Sequence, residues 1–356
     1  MMRVLVTGCN GYIGSVLTPL LQAAGYDVFG IDNNYFEPCT LGRAPAPTPH
    51  LVRDLRDVEL ADLEGFYAVI HLAALSNDPL GNVDPELTFD INHRASVRLA
   101  RLAKQAGVER FLVSSSCSTY GSAGDDLVTE AAEFNPVTPY GRSKVLVDRD
   151  VSLLADDDFS PTFLRNATAY GASPRLRLDL VLNDFVATAC TTGKILMLSD
   201  GTPWRPLVHV EDICRAFIAV LEARRDAVHN QAFNVGSSTE NYRISELAEI
   251  VLQTVPGCSI EYAAGAGPDK RCYRVDCSKL ARHLPDFKLR WNARLGAQQL
   301  YEAYRSVNLQ AEDLSGPRFH RLRTLTGLLE SGSLKHDLRW RHVPAAVPAQ
   351  TQAMAS

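Results

Sequence analysis

Two rhythms of apolar and polar positions alternate along the first half of the chain. Short β-branched or apolar runs are separated by segments with a helical repeat, a pattern that predicts βαβ units on a parallel sheet. Arg3–Val6, Asp27–Ile31, His50–Arg53, Ala68–Leu72, Arg110–Ser114 and Pro161–Arg165 read as strands. Gly14–Ala24 reads as the first crossover helix, ended by Gly25, and Phe89–Gly107 and Tyr140–Leu154 read as two more. From about Ser173 the pattern becomes irregular, with helices near Leu180–Thr191, Val210–Ala223 and Ser245–Thr254 and a short strand at Ala232–Val235. The Pro-, Asn- and Gly-rich stretch Asp32–Pro49 reads as a loop, and Val343–Ser356 as a disordered tail.

A length of 356 residues suits about two domains, or one large α/β domain with an appended lobe. With 46% hydrophobic residues, the core needs no disulfide or metal staple. The 36 Lys and Arg against 41 Asp and Glu leave a formal charge of −5, which argues against nucleic acid as the main partner. The eight cysteines form no C-x-x-C pair, so free thiols in a reducing compartment are expected and no metal site. No apolar run is long enough to span a membrane, and the chain opens directly on a strand. A cytoplasmic protein without membrane attachment is the expectation.

The strongest local signal is Gly8-Cys9-Asn10-Gly11-Tyr12-Ile13-Gly14, directly after a strand and directly before a helix. Gly8 permits the tight turn, Gly11 lets the backbone approach a pyrophosphate, and Gly14 lets helix and strand pack closely. The phosphates then meet the unpaired N–H groups and positive dipole end of the helix. An acidic residue belongs about 20 residues later at the end of the second strand, and Asp32 is there. Its carboxylate can accept ribose hydroxyls and repels a 2′-phosphate, so NAD is favoured over NADP. The plain alternative is a strand–turn–helix connection with a solvated carboxylate. The fold this predicts is a Rossmann-type doubly wound parallel sheet.

Tyr140-Gly-Arg-Ser-Lys144 supplies the second signal, because residues four apart share one face of a helix. Tyrosine is a poor base at an ordinary pKa near ~10, and a neighbouring ammonium and a bound nicotinamide cation can stabilise its phenolate. Ser116, placed after a strand, can hydrogen-bond the reacting oxygen. A surface Tyr/Lys pair would be the bland reading of the spacing alone.

Together these motifs make the sequence resemble an extended short-chain dehydrogenase/reductase of the NAD-dependent sugar-nucleotide epimerase/dehydratase group, similar to UDP-glucose 4-epimerases, from Arg3 to about Leu284. Thr7-Gly8-x-x-Gly11-x-x-Gly14 matches the group's glycine motif, and Ser116, Tyr140 and Lys144 match its catalytic Ser/Thr, Tyr and Lys. By resemblance, Asp54 and Leu55 lie at the adenine, and Leu72, Ala73 and Ala74 end a strand beside the cofactor. Asn92 supports the active site from a helix and counts in the cofactor-binding set. Asn10, Tyr12, Ile13, Asn33, Asn34 and Ala167 complete the implied cofactor set. The implied substrate set is Ser76, Ser116, Cys117, Ser118, Thr168, Asn183, Arg205, Asp269 and Arg271, with Arg205 of Trp204-Arg205-x-x-x-His209-Val-x-Asp212 meeting the diphosphate. His209 is read as a structural histidine beside Asp212.

Three departures from the group's pattern carry information. Thr168 stands where an Asn is often found. The phosphate-binding Arg that many galactose epimerases place upstream of Asp269 is missing, and Arg271 is its candidate replacement. The 4,6-dehydratases carry Asp-Glu directly after the catalytic Ser/Thr, where this chain has Cys117 and Ser118. Neither can supply the acid and base that elimination of water needs at neutral pH. The implied activity is therefore NAD-dependent 4-epimerisation of a nucleotide sugar through a 4-keto intermediate, with Tyr140 as base. The rivals are a 4-ketoreductase of deoxysugar biosynthesis and an inactive NAD-binding scaffold. Residues 1–172 would form the NAD-binding domain and 173–342 mainly the substrate lobe, with some segments returning to the first domain. A homodimer through the helices carrying Asn92 and Tyr140 is also implied. The basic clusters Arg318–Arg321 and Arg339–His342 read as a solvated face or salt-bridging tail.

Overall fold

Along the first strand, Val4 and Val6 pack into one buried cluster and Leu5 into another, so the strand is apolar on both faces. Phe111 and Val113 of a later strand pack on the same side as Leu5, while Leu112 joins Val4 and Val6. Such strands are stable only inside a sheet covered on both sides. The computed structural model describes residues 1–45, 47–76, 78–79, 84–267 and 272–343. Its main sheet has seven strands, here β1 (Arg3–Thr7), β2 (Asp27–Asp32), β3 (His50–Val52), β4 (Ala68–His71), β5 (Arg110–Ser116), β6 (Ser160–Asn166) and β7 (Gln231–Val235). All are parallel, in the order β7-β6-β5-β4-β1-β2-β3. The winding direction reverses between β1 and β4, and a doubly wound sheet opens a ligand crevice at that switch point.

The helices Gly14–Ala23 and Val210–Glu222 cover one face, while Ala95–Gln105 and Pro139–Ser152 cover the other. A second apolar cluster gathers the helices Val181–Thr192, Ile244–Thr254 and Ala293–Ser306 into a smaller lobe. Short strands at Thr168–Tyr170, Trp204–His209 and Asn241–Arg243 form a three-stranded sheet beside it. No described helix is long and apolar enough to cross a membrane.

Two differences from the sequence expectation bear on the site. The long helix expected over Phe89–Gly107 begins earlier, at Pro85, where Asp84 caps Leu87 N at 3.0 Å, and it is interrupted by a π turn at Asp90–Arg94. Within that turn Asn92 is buried, exchanging hydrogen bonds with the backbone of Leu75 at 2.7 and 3.1 Å. The chain after Leu284, for which the sequence predicted no element, forms the helices Ala293–Ser306 and Arg321–Glu330. The latter and the turn after it return to pack on Tyr35, Leu75 and Ile91 of the first domain. Of the expected tail, only Val343 lies among the described residues.

Candidate active site

A cavity of about 540 Å³ opens at the switch point. Its floor is the turn after β1. Gly8 has a positive φ of 75°, and a Cβ there would meet Ala73 N at 2.9 Å. At Gly14 a Cβ would meet Gly8 O at 2.2 Å, so only glycine lets the helix start this close to the strand. A Cβ on Gly11 would touch only Gly8 O, at 3.2 Å; its remaining surroundings are open. Beneath the turn, Thr7 Oγ1 meets His71 Nδ1 and His71 Nε2 meets Ser96 Oγ, both at 2.7 Å. Ser96 gives its own proton to Asn92 O, so the imidazole carries its hydrogen on Nε2 and accepts from Thr7. Burial holds this histidine neutral, its pKa pushed down to about 3.

Asp32 ends β2 at the cavity wall, its two oxygens accepting Asn10 N at 2.9 Å and Asn34 N at 2.8 Å. Burial pushes its carboxyl above the usual range while those N–H groups pull it back. The Asn10 and Asn34 side chains bond each other and His50. They shape the turn and do not line the cavity.

The helix carrying Tyr140 is held in place at both ends. Thr138 caps it by accepting Gly141 N at 3.1 Å, and Pro139 occupies its first turn. Farther along, buried Asp148 pairs with Arg165 of β6 at 3.0 Å. Lys144 is buried one turn before Asp148 and donates to Ser114 O at 2.8 Å. Its ammonium lies 5.9 Å from the centre of the Tyr140 ring. Burial lowers the Lys144 pKa to about 8 and raises that of Tyr140 to about 12, the latter opposed by a hydrogen bond with Ser116. Ser116 Oγ already accepts Ser118 N at 3.1 Å, which leaves its own proton for the tyrosine oxygen.

Family and structural comparisons agree with this geometry. Residues 4–236 match the model of the NAD dependent epimerase/dehydratase family. The chain belongs to that family. Among its relatives, the UDP-glucose 4-epimerase of Bacillus subtilis is 26% identical over 84% of this chain and 94% of its own length. The UDP-glucose 4-epimerase of Neisseria meningitidis serogroup C is 30% identical over 78% of this chain and 90% of its own. The solved structure of MoeE5 in complex with UDP-glucuronic acid and NAD superposes with a TM-score of 0.73 at 27% identity, covering 85% of this chain and 99% of that one. The protein is thus an NAD-dependent enzyme of the epimerase/dehydratase family.

The residues present fit a dinucleotide: the open approach at Gly11, the helix start at Gly14 and the Asp32 carboxylate share one wall with Ile13, Asn33, Asp54, Leu55, Leu72, Ala73 and Ala74. Tyr12 and Ala167 line the same cavity. The Asp54 carboxylate is gripped by Arg56, whose Nε and Nη2 donate at 2.9 and 2.7 Å. Asn92 does not reach the cavity; besides Leu75 it contacts Ser143 Oγ on the Tyr140 helix at 3.2 Å, so it positions rather than binds.

On the expected substrate side, Ser76, Ser116, Ser118, Thr168 and Arg205 line the cavity. The buried Ser118 oxygen has no partner among the described residues, as suits a group awaiting a ligand oxygen. Two expected substrate residues face elsewhere. Cys117 is fully buried and its thiol points to Arg165 O at 3.1 Å, because the helical turn it opens rotates it beneath the site. Asn183 is also fully buried and braces the backbone at Gly171 N and Arg177 O. Asp269 and Arg271 lie outside the described residues. His209 stacks on Trp291 at 4.0 Å and bonds Gln299 at 2.8 Å, while Asp212 takes the backbone of Arg290 and Trp291. The histidine is structural, but its partner is Gln299.

Several cavity residues were not singled out individually from sequence, although the stretches 76–81 and 176–184 were expected to shape the pocket. Arg177 forms a two-point pair with Asp179 at 3.0 and 2.9 Å and donates to Ser76 Oγ at 3.2 Å. Asp78 accepts the Thr138 hydroxyl at 2.6 Å. The charged run Arg175-Leu-Arg177-Leu-Asp179 within an apolar stretch was the available signal, and of it Arg177 and Asp179 line the cavity. Arg321, expected on a solvated face, is 2% exposed and lines the cavity.

Proposed function

We propose that the protein is a nucleotide-sugar 4-epimerase acting through a transient 4-keto sugar. The supporting observation is the placement of Tyr140, Ser116 and Lys144 in one cavity with the dinucleotide cradle, while the two positions after Ser116 offer no carboxyl group. Tyr140 is the base for the C4 hydroxyl proton. With substrate in place the Ser116 hydroxyl turns its proton from the tyrosine oxygen to the C4 oxygen and steadies the negative charge that builds there. Lys144, 5.9 Å from the ring centre, favours the phenolate by charge. NAD held in the cradle would supply the hydride acceptor for C4, and the keto sugar has to turn in the site for the hydride to come back on its other face. The proton that Tyr140 took goes back to the C4 oxygen, so no net oxidation remains.

Both carboxylates noted on the sugar side are engaged, Asp179 by Arg177 and Asp78 by Thr138. Neither is a ready acid for a departing C6 hydroxyl. Because the relatives are named UDP-glucose 4-epimerases, UDP-glucose is the first substrate to test. Incubation with a panel of nucleotide sugars and no added cofactor, read by NMR, should give a C4 epimer. Stoichiometric NADH consumption on 4-keto sugars would instead indicate the ketoreductase. A homodimer through the helices Ala95–Gln105 and Pro139–Ser152 belongs to the same proposal, with light scattering as its test.

A further inference from the structure

Beyond residue 236, where the family match ends, the chain contributes a strap that closes over the cofactor side of the cavity. Phe319 O accepts Leu178 N at 2.9 Å, and Thr324 Oγ1 meets Cys39 Sγ at 3.5 Å. At the far end Trp340 Nε1 donates to Asn33 O at 2.6 Å, Arg56 Nη2 donates to Asp337 O at 2.9 Å, and the Tyr35 hydroxyl bonds Leu338 O. Asn33 and Tyr35 directly follow Asp32, so the strap grips the loop that begins at the ribose-binding carboxylate.

Arg321 is the strap residue that enters the cavity itself. Its guanidinium lies 4.4 Å from the centre of the Phe36 ring, and its Nη2 donates to Arg175 O at 2.9 Å. Arg175 in turn donates to Asn10 O of the glycine turn at 3.2 Å. The Arg321 head group is therefore set between the loop after Asp32 and the segment braced on the glycine turn. Its Nη1 is buried and has no hydrogen-bond partner among the described residues. A buried guanidinium N–H without an acceptor is costly, and one that lines a ligand cavity is in place to meet an acceptor on the ligand. The fold defines an anion position at the start of the Gly14 helix, on the glycine turn that Arg175 braces. Burial also lowers the Arg321 pKa to about 10, so it remains charged at neutral pH.

We propose that Arg321 is a cofactor-binding residue that donates to the diphosphate of the bound dinucleotide from the side opposite the helix N-terminus, the strap serving as a clasp that slows cofactor loss. The test uses apoenzyme of the full chain and its Arg321→Met and Arg321→Lys variants. Affinities for NAD, ADP-ribose, adenosine and UDP are measured by calorimetry, with adenosine followed by NMR if it binds weakly. In Arg321→Met, NAD and ADP-ribose should bind about 10- to 100-fold more weakly, the range for losing a charge-assisted hydrogen bond. Adenosine and UDP should be unaffected. Apoenzyme melting should change little, because loss of the bond to Arg175 O is offset by removal of the unsatisfied Nη1. Arg321→Lys should lose ADP-ribose affinity by a smaller factor, about 3- to 10-fold, since a point charge replaces a fork, and it carries the test if Arg321→Met does not fold. Unchanged ADP-ribose affinity in a folded variant overturns the proposal. So does an equal loss for adenosine, which would make the strap a purely structural brace, or a loss confined to UDP, which would assign Arg321 to the substrate.

Discussion

The two sides of the cavity are built by different means. On the cofactor side, backbone geometry does most of the shaping: Gly8 and Gly14 let one turn of chain approach another, and Asp32 is held by two N–H groups. Those residues fall within a short stretch of sequence, and their spacing is the signal. On the substrate side, side-chain charge does the shaping. Arg177 and Asp179 come from one segment and pair with each other, while Asp78 and Arg205 come from two others, Asp78 held by Thr138 from 60 residues away. A backbone-built site tolerates drift of the chain elsewhere, whereas a charge-built site can change its ligand by moving a few side chains. This contrast explains how one family cradle serves epimerases and dehydratases alike.

Breaking each side in turn should give different signatures. The largest effect is expected at their junction: Tyr140→Phe should lower turnover by ~10²–10⁴ while NAD affinity holds, because only the base is removed. Steady-state rates and calorimetry on the same preparation check this, and near-normal turnover would remove Tyr140 from the chemistry. On the substrate side, Asp179→Asn leaves the buried Arg177 charge without its counter-ion and should destabilise the fold by roughly 3–5 kcal/mol in denaturant titrations. The double change Arg177→Met/Asp179→Leu should recover most of that stability yet leave substrate KM raised. On the cofactor side, Gly14→Ala places a Cβ 2.2 Å from Gly8 O and should cost about 1–3 kcal/mol of stability together with NAD affinity. Substrate contacts would survive it.

A last measurement sharpens the contrast instead of breaking it. His71, under the glycine turn, has its pKa pushed from 6.5 down to about 3 by burial, so the unfolded chain binds more protons between those values. Stability should therefore be full above pH 6.5 and fall as the pH drops towards 3. In His71→Gln that part of the acid loss should vanish, so melting between pH 6.5 and 4 becomes shallower than in the wild type.

How far the sequence could be read follows the same division. Six of the seven parallel strands were legible because apolar runs such as Arg3–Val6 and Arg110–Ser114 have no stable place except inside a sheet; the seventh, Gln231–Val235, and the helix Val210–Glu222 fall in the stretch read as the smaller lobe, and belong to the main sheet. The glycine turn, Asp32, Tyr140 and Lys144 were legible from fixed short spacings. Asn92 was found, but its support role was not separable from cofactor contact, since the π turn that points it at Leu75 leaves no mark in the pattern. Cys117 and Asn183 were misjudged because alignment to a motif gives position along the chain and not the direction of a side chain. Arg321 was taken as solvated for a related reason. A basic cluster looks the same in sequence whether it faces water or a diphosphate site, and only the return of the strap to the first domain decides which.

Epimerisation at C4 is tested most directly by incubating the enzyme, as purified and without added cofactor, with UDP-glucose in deuterated water and following the sugar ring by NMR. A C4 epimer should form with protium retained at C4, because that hydrogen moves as hydride and never meets solvent. A 4-keto-6-deoxy sugar carrying solvent deuterium at C5 would contradict the proposal, and would show that a cavity carboxylate such as Asp78 does the work that Cys117 and Ser118 cannot.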